Sequence, residues 1–216
     1  MSCNHHPDLS TLLNYGAGSL SDALAMVVAC HLESCEHCRH TVTEAENIGM
    51  ALLKEVSADD MSRNARDNML AMLDDHAIEP PQVVIETPQK EGDIPTQLRP
   101  LIGQWFADLK WSRVAPGLKQ FILPASDGKL RLLNIAPGTF MPAHGHSGSE
   151  LTLVLKGSYS DELGRFRAGD VADVDPDVTH QPVADTHEGC ICLIATDAPL
   201  RFKGLVPRLL QPFFQL

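Results

Sequence analysis

A group of side chains in the N-terminal third has the residue types and spacing of a metal site. His31, Cys35 and Cys38 form the pattern H-x3-C-x2-C. On a helix, a spacing of four places His31 and Cys35 one turn apart on the same face, and Cys38 follows closely enough to turn its sulfur toward the same point. Zn²⁺ prefers nitrogen and sulfur ligands in a tetrahedron, so the spacing predicts a zinc site with three local ligands. The fourth ligand has to come from elsewhere, and His5 and His6 are both candidates.

The alternative is that Cys35 and Cys38 are simply small residues on a helix. Glu36, His37 and Arg39 surround them with polar and charged groups. Such surroundings suit two structural thiols poorly, so the metal interpretation is favoured.

A second group of metal-ligating residue types lies in the C-terminal half. His144 and His146 are two residues apart, so in an extended segment both imidazoles lie on the same face, and Glu150 follows four residues later. From Gly138 to Gly157 the chain matches the first sequence motif of the cupins, G-x5-H-x-H-x3-E-x6-G, at every defined position. Imidazole and carboxylate ligands together suit Zn²⁺, Fe²⁺, Mn²⁺ or Ni²⁺.

The second cupin motif, G-x5-P-x-G-x2-H-x3-N, is present only in part. Gly169 and His180 keep the spacing of the cupin family, whereas Pro176 falls one position late. Asp177 and Ala184 replace the second glycine and the terminal asparagine of the motif. The resemblance makes His180 a candidate for the fourth ligand and implies a different turn before it.

Two further cysteines, Cys190 and Cys192, alternate along a predicted strand and therefore share one face. Two buried small hydrophobic residues are the favoured interpretation. The functional alternative is a pair of oxidisable thiols near the second metal site, which requires an exposed thiolate of low pKa.

The elements that must position these residues change type along the chain. Apolar residues recur with helical spacing in the first 80 residues, which predicts four helices: one from about residue 9, and others over 23–32, 36–56 and 62–75. The segment 79–100 has five prolines and little periodicity, and this favours an extended linker. Short period-two segments bounded by turn residues then predict a small β-sandwich or barrel, with candidate strands at 130–135, 151–156, 170–174 and 190–195.

Composition and charge exclude several classes of protein. The 216 residues are 44% hydrophobic and 21% charged, which is typical of a globular chain. The net charge of −11 argues against direct binding of nucleic acid, which requires cationic groups. No apolar run approaches the roughly 18 residues of a membrane span, and the N-terminus lacks the features of a signal peptide, so a cytoplasmic protein with no membrane partner is expected.

The acidic residues are concentrated in the N-terminal part. Residues 1–85 carry 13 acidic and four basic side chains, whereas residues 86–216 carry 15 acidic and 13 basic ones. This difference indicates two modules with different partners. The alternative is a solvated acidic helical surface.

The H-x3-C-x2-C motif, the preceding histidine and the short acidic helical module together resemble the zinc-binding anti-sigma family over residues 1–80. With the C-terminal cupin motifs, nearly the whole chain resembles the ChrR type of this family, and further matching segments are 150–155, 190–193, 195–202 and 211–214. The resemblance implies an α + β multidomain chain. An all-α four-helix zinc-binding anti-sigma domain would span residues 1–80 and a linker 81–100, followed by an all-β cupin domain, a double-stranded β-helix or jelly roll, over 101–216.

The same resemblance implies site residues and a function. The N-terminal zinc ligands would be His6, His31, Cys35 and Cys38. A second divalent metal, with zinc as the first candidate, would be bound by His144, His146, Glu150 and His180. The acidic domain would bind and inhibit an ECF sigma factor of the sigma-E type, whose promoter-binding surfaces are basic, and the cupin domain would be required for release in response to singlet oxygen or related oxidants.

On this interpretation the protein is not an enzyme and has no catalytic residues. The competing hypothesis is a metal-dependent cupin enzyme, a dioxygenase or isomerase, with a structural zinc-binding docking module. Four protein ligands leave open positions on a six-coordinate metal, so the number of ligands does not decide between the two. A metal-storage or metal-sensing protein is a third hypothesis.

Overall fold

The computed structural model of the chain describes residues 3–74, 92–145, 147–174, 178–198 and 201–202. Four helices come first in this part of the chain, as predicted: α1 (Leu9–Gly16), α2 (Asp22–Leu32), α3 (Glu36–Glu55) and α4 (Ala65–Asp74). Cys35 caps α3, because its Sγ accepts a hydrogen bond from the backbone N–H of Cys38 at 3.5 Å. The two cysteines are therefore held together by the start of one helix.

The strands follow in the C-terminal half and pair antiparallel. Their bounds are β1 (Ser112–Ala115), β2 (Leu118–Leu123), β3 (Lys129–Ile135), β4 (His144–Gly145), β5 (Glu150–Asp161), β6 (Gly164–Arg167), β7 (Val171–Val174), β8 (Val183–Ala184), β9 (Cys190–Thr196) and β10 (Arg201–Phe202). The main sheet has the order β1-β2-β3-β9-β5-β6, with β7 and β8 also paired to β5, and β10 pairs with β4. The predicted fold class, helices followed by a cupin-like β-domain, is confirmed.

The central strands of this sheet are buried on both faces. One face packs against α2 in a single hydrophobic core, to which the sheet contributes Leu130, Leu132, Leu151, Leu153, Leu193 and Ala195. The opposite face lines the interior of the β-domain with Leu133, Ile135, Val154, Cys190 and Cys192. Because successive side chains of a strand point to opposite faces, strands covered on both sides read as nearly continuous apolar runs.

Helix α2 lies directly on the β-domain. Ala23, Val27 and Val28 are completely buried, and the backbone N–H of Ala23 donates to the carbonyl of Asp127 at 3.1 Å. The helical and β parts therefore share a core rather than standing apart.

The described part of the predicted linker is packed rather than extended. Ile94 and Leu98 are 1% and 0% exposed and belong to the core around α2. The Glu33 carboxylate accepts hydrogen bonds from the backbone N–H groups of Thr96 (3.0 Å) and Gln97 (2.9 Å). The prediction of an extended linker is thus wrong for residues 92–100, because two apolar residues among prolines are too few to show a period. Residues 81–91 lie outside the described part.

The end of this segment enters α5 (Arg99–Ile102), and a 3-10 turn at Phe106–Asp108 follows before the chain enters the sheet. Among the described helices, none has the length and apolar character needed to cross a bilayer.

The apolar residues of α3 are buried only in its N-terminal half. Val42 is buried, whereas Leu52 and Leu53 are each 65% exposed. In α4 all the large apolar residues are exposed as well. We call this set the apolar helical surface; it comprises Ile48, Met50, Leu52, Leu53, Met69, Leu70, Met72 and Leu73.

Candidate metal sites

The N-terminal group brings together one side chain from the segment before α1, one from α2 and two from the start of α3. The ligand atoms of His6, His31, Cys35 and Cys38 all lie within 4.8 Å of one another. His6 Nδ1 is 3.3 Å from the sulfur of Cys35 and 3.3 Å from that of Cys38, and His31 Nε2 is 3.3 Å from Cys38 Sγ. Nitrogen and sulfur ligands of one tetrahedral zinc ion are about 3.6 Å apart. The donor set and its spacing therefore fit a zinc ion.

Spacing alone left His5 and His6 as equal candidates, and the structure places them differently. His6 turns its ring toward the two cysteines. The ring of His5 packs against that of Phe166, with centroids 4.4 Å apart. His6 therefore joins the group and His5 packs against the β-domain.

The electrostatics of the N-terminal site favour neutral imidazoles and a protonated Cys38 thiol while no metal is bound. Burial, with a smaller contribution from His37, lowers the pKa of His6, and burial lowers the pKa of His31. Burial and the adjacent Cys35 thiol raise the pKa of Cys38 to about 12. Since zinc binds the thiolate and the neutral imidazole, metal binding here displaces a thiol proton and requires none to leave the histidines at neutral pH.

The orientation of His31 is set by the β-domain. Its Nδ1–H donates to the backbone carbonyl of Gly169 at 2.8 Å, which leaves Nε2 to face Cys38. Such contacts to the second ring nitrogen fix the tautomer and angle of metal-binding histidines. The sequence provides no signal for this partner, because Gly169 lies 138 positions away and its only sequence signature is that of a cupin motif.

The second group lies inside the β-domain. The ligand atoms of His144, Glu150 and His180 all lie within 4.8 Å of one another, and each of the three residues is buried. Glu150 begins β5, while His144 and His180 are aligned by two reciprocal backbone hydrogen bonds of 3.1 Å. His146 lies outside the described residues, as do Pro176 and Asp177 of the partial second cupin motif.

Both histidines of this group have one ring nitrogen occupied by a protein acceptor. His144 Nδ1–H donates to the carbonyl of Pro142 at 2.9 Å, and His180 Nδ1–H donates to the Asp161 carboxylate at 2.8 Å. The Nε2 lone pairs are therefore the ones that face a metal. The sequence does not predict the role of Asp161. This residue lies outside both cupin motifs, and only the folding of the chain brings it to His180.

The three residues open onto a cavity of about 40 Å³ that is also lined by Arg131, Tyr159 and Cys192. Cys190 and Cys192 are both buried, with their sulfurs 3.8 Å apart. The hydrogen bond to Cys190, followed by burial, raises the pKa of Cys192 well above its ordinary value. Neither cysteine is exposed, so the pair does not match the hypothesis of accessible, easily oxidised thiolates. The favoured interpretation of two buried small residues agrees with the structure.

Comparison with known proteins agrees with both halves of this architecture. A family model described as the ChrR cupin-like domain matches residues 102–199. The anti-sigma-E factor ChrR of Cereibacter sphaeroides is 39% identical over an alignment of 219 positions that covers 100% of each chain. In the crystal structure of Rhodobacter sphaeroides SigE in complex with the anti-sigma ChrR, one chain superposes with a TM-score of 0.76 and 36% identity, covering 91% of this chain and 100% of that one.

Proposed function

The chain belongs to the ChrR family of anti-sigma factors, and we propose that it binds an ECF sigma factor of the sigma-E type and keeps it from RNA polymerase. The observation that carries this proposal is similarity at 39% identity over the full length of both chains. It makes the protein a regulator rather than an enzyme. The cupin-enzyme hypothesis has no observation that specifically favours it.

The apolar helical surface is the proposed contact with the sigma factor. The second half of α3 and all of α4 expose large apolar side chains, among them Ile48, Met50, Met69 and Met72. Helical segments that expose many large apolar side chains are typical of regions that a protein partner covers. Residues 1–85 also carry an excess of nine negative charges, which suits the basic surfaces of a sigma factor and would accelerate encounter.

The metal at the N-terminal site is proposed to be zinc with a structural role. Two thiolates and two imidazoles complete a tetrahedron of protein ligands and leave no open position for a substrate. The ion would tie the segment before α1, the end of α2 and the start of α3 together, and the binding energy would stabilise this small helical fold.

The second site is proposed to hold a divalent metal, with zinc as the first candidate, and to be required for release of the sigma factor in response to singlet oxygen or related oxidants. Its described donors are two imidazoles and one carboxylate, which suit several divalent ions. His146 is the proposed fourth ligand. The proposed site of action is the cytoplasm, where the sigma factor meets RNA polymerase.

The proposed domains are residues 1–80 for the anti-sigma part and 101–216 for the cupin part. The family match beginning at residue 102 supports the second boundary. The segment 81–100 connects them, although its described residues pack into the shared core.

The test is co-purification of the full chain with its cognate ECF sigma factor, followed by transcription in vitro from a promoter that depends on that sigma factor. Near-stoichiometric inhibition is expected, because the complex withholds the sigma factor from the polymerase. An unrelated ECF sigma factor serves as the control. Unchanged transcription in the presence of folded, metal-loaded protein would contradict the proposal.

A further inference from the structure

The segment that carries the His6 ligand is bonded to the β-domain. We call residues 3–8 the N-terminal arm. The backbone N–H groups of Asn4 and His5 donate to Asp170 Oδ1 at 2.7 Å and 3.2 Å. In return, the carbonyl of His5 accepts a hydrogen bond of 3.2 Å from the backbone N–H of Val171. The arm is thus anchored at the two residues that directly precede His6.

Asp170 is itself firmly placed. It is 2% exposed, and its second carboxylate oxygen accepts a hydrogen bond from the backbone N–H of Arg167 at 2.9 Å. Its own backbone N–H donates to the Arg167 carbonyl at 2.8 Å. A buried carboxylate that accepts three N–H groups is a strong and directional anchor, because each of these hydrogen bonds is charge-assisted.

The residue before Asp170 contacts the other histidine of the N-terminal site. The Gly169 carbonyl accepts the hydrogen bond from His31 Nδ1 at 2.8 Å. Two adjacent residues of the turn between β6 and β7 therefore act on both histidines: Gly169 orients His31 directly, and Asp170 holds the N-terminal arm that carries His6. The two cysteines need no such support, because the start of α3 positions both of them.

We propose that Asp170 is a positioning residue for the N-terminal metal site, and that through it the β-domain contributes to the metal affinity of the helical domain. This inference rests on the proposed zinc site and is independent of sigma binding. Without the carboxylate, the arm loses two hydrogen bonds, and His6 must be brought to the thiolates at an additional cost in conformational entropy. Residues that orient metal ligands from the outside typically change metal affinity by about 10–100-fold.

The test compares metal affinity of the full-length protein and its variants by titration with Co²⁺. Only the N-terminal site contains thiolates among its proposed ligands, so the thiolate-to-cobalt charge-transfer absorption reports on that site alone, and zinc affinity follows from displacement of cobalt. Asp170→Ala is expected to weaken binding about 10–100-fold. Asp170→Asn should weaken it less, because the amide keeps one oxygen acceptor.

The matched control is Asp185→Ala. Asp185 Oδ1 also accepts hydrogen bonds from two backbone N–H groups, those of His187 (2.8 Å) and Glu188 (3.3 Å), but in a different loop of the β-domain. This variant should bind cobalt at the thiolate site as the wild type does. Equal affinity of Asp170→Ala and wild type would overturn the inference, whereas absence of the absorption band in the wild type would overturn the zinc site itself.

Asp170→Ala could fail to fold, so a second pair of variants changes the other partner of the hydrogen bond between Asn4 and Asp170. These substitutions lie in the N-terminal arm and leave the β-domain unchanged. Asn4→Pro removes the backbone N–H that donates to Asp170 at 2.7 Å, whereas Asn4→Ala retains it. The proline variant should bind the metal more weakly than the alanine variant. Equal affinities of these two folded variants would contradict the positioning role of Asp170.

Discussion

At the scale of single residues, Cys38 and Cys30 differ in the groups that surround their thiols. Cys38 faces His6 and His31, whereas Cys30 is buried in the core around α2 and is absent from the described metal-ligating group. The pKa values of both thiols are raised to about 12, chiefly by burial. Proximity to other donors, and not acidity, therefore distinguishes the proposed ligand from a core residue.

Replacing Cys38 by Ser should remove zinc from the N-terminal site. The loss of a direct ligand should lower the affinity by more than the roughly 100-fold that outer contacts reach. Zinc content after dialysis and affinity from chelator competition measure the effect. Cys30→Ala is the control and should keep its zinc, and full zinc content in Cys38→Ser would refute the ligand assignment.

Zinc binding at the N-terminal site should strengthen as the pH rises. With its pKa raised to about 12, the Cys38 thiol is protonated in the metal-free protein at neutral pH, and the metal must displace that proton. Cys38 alone should therefore contribute about a tenfold gain in affinity per pH unit between pH 7 and 9. Because the pKa values of His6 and His31 are lowered, their imidazoles are neutral in this range and add no slope.

Calorimetry in buffers of different ionisation enthalpy checks this directly. At least one proton should be released for each zinc ion bound at pH 7. Metal affinity that does not change with pH, or uptake of protons, would contradict the protonated state of the Cys38 thiol.

At the scale of elements, α4 has apolar residues but buries none of them among the described contacts. Leu70 and Leu73 are 48% and 54% exposed. Helices that are stable in water normally cover such residues, so this helix has the composition of an element completed by a partner.

The double substitution Leu70→Glu and Leu73→Glu should weaken sigma binding by at least about tenfold, because each carboxylate would be placed without a partner in an apolar contact, which costs free energy. The thermal stability of the free protein should hardly change, since neither side chain is buried. Leu163→Glu is the control: this leucine is 47% exposed and lies in the turn between β5 and β6 of the β-domain, outside the apolar helical surface. Unchanged sigma affinity in the double variant would place the interface elsewhere.

At the scale of the whole molecule, the helical and cupin parts are joined by more than a chain connection. α2 shares its core with β3, β5 and β9. The arm adds a polar contact near its end, where the backbone N–H of Asp8 and the hydroxyl of Thr11 both donate to Asp173, at 3.0 Å and 2.7 Å. A fragment that ends before the cupin domain loses all of these contacts.

An isolated fragment of residues 1–85 should still bind the sigma factor, because it contains the apolar helical surface and the acidic excess. It should melt at a lower temperature than the full chain and release zinc faster, since the apolar face of α2 becomes exposed and His31 loses its contact with Gly169. Thermal unfolding and zinc release of both proteins measure this. Equal values for the fragment and the full chain would show that the shared core contributes nothing to the helical part.

Loss of the second metal site should abolish the release of the sigma factor by oxidant without abolishing its inhibition. Glu150 is buried inside the β-domain, so Glu150→Ala should lower metal affinity there while the apolar helical surface stays intact. Cells with this variant should still restrain the sigma factor and fail to release it under singlet oxygen. A reporter gene with and without oxidant measures this, and His187→Ala, an exposed histidine outside the described metal groups, is the control. Normal induction in a Glu150→Ala protein shown to lack the metal would exclude the site from signalling.

The features that depend on short spacing follow directly from the pattern of residues. H-x3-C-x2-C needs only one helix turn and the next helix start to bring its side chains together, and α2 and α3 provide both. The alternation of side chains between the two faces of a strand is likewise local. It made β5, β9 and the shared face of Cys190 and Cys192 predictable. Glu150 and His180 lie far apart in sequence, and they were predicted together only because the cupin motifs belong to a known fold.

Spacing leaves His5 and His6 equal and the resemblance implies His6, whereas the folded chain shows both that His6 lies beside the cysteines and what holds it there. His5 and His6 differ by one position, so their roles depend on the strand against which the arm lies. The contacts of Asp170 with Asn4 and of Gly169 with His31 span 166 and 138 positions. No periodicity or local motif carries contacts of that range, because they form only when the helical part packs on the sheet. For the same reason, the burial of Ile94 and Leu98 in what reads as a proline-rich linker emerged only from the folded chain.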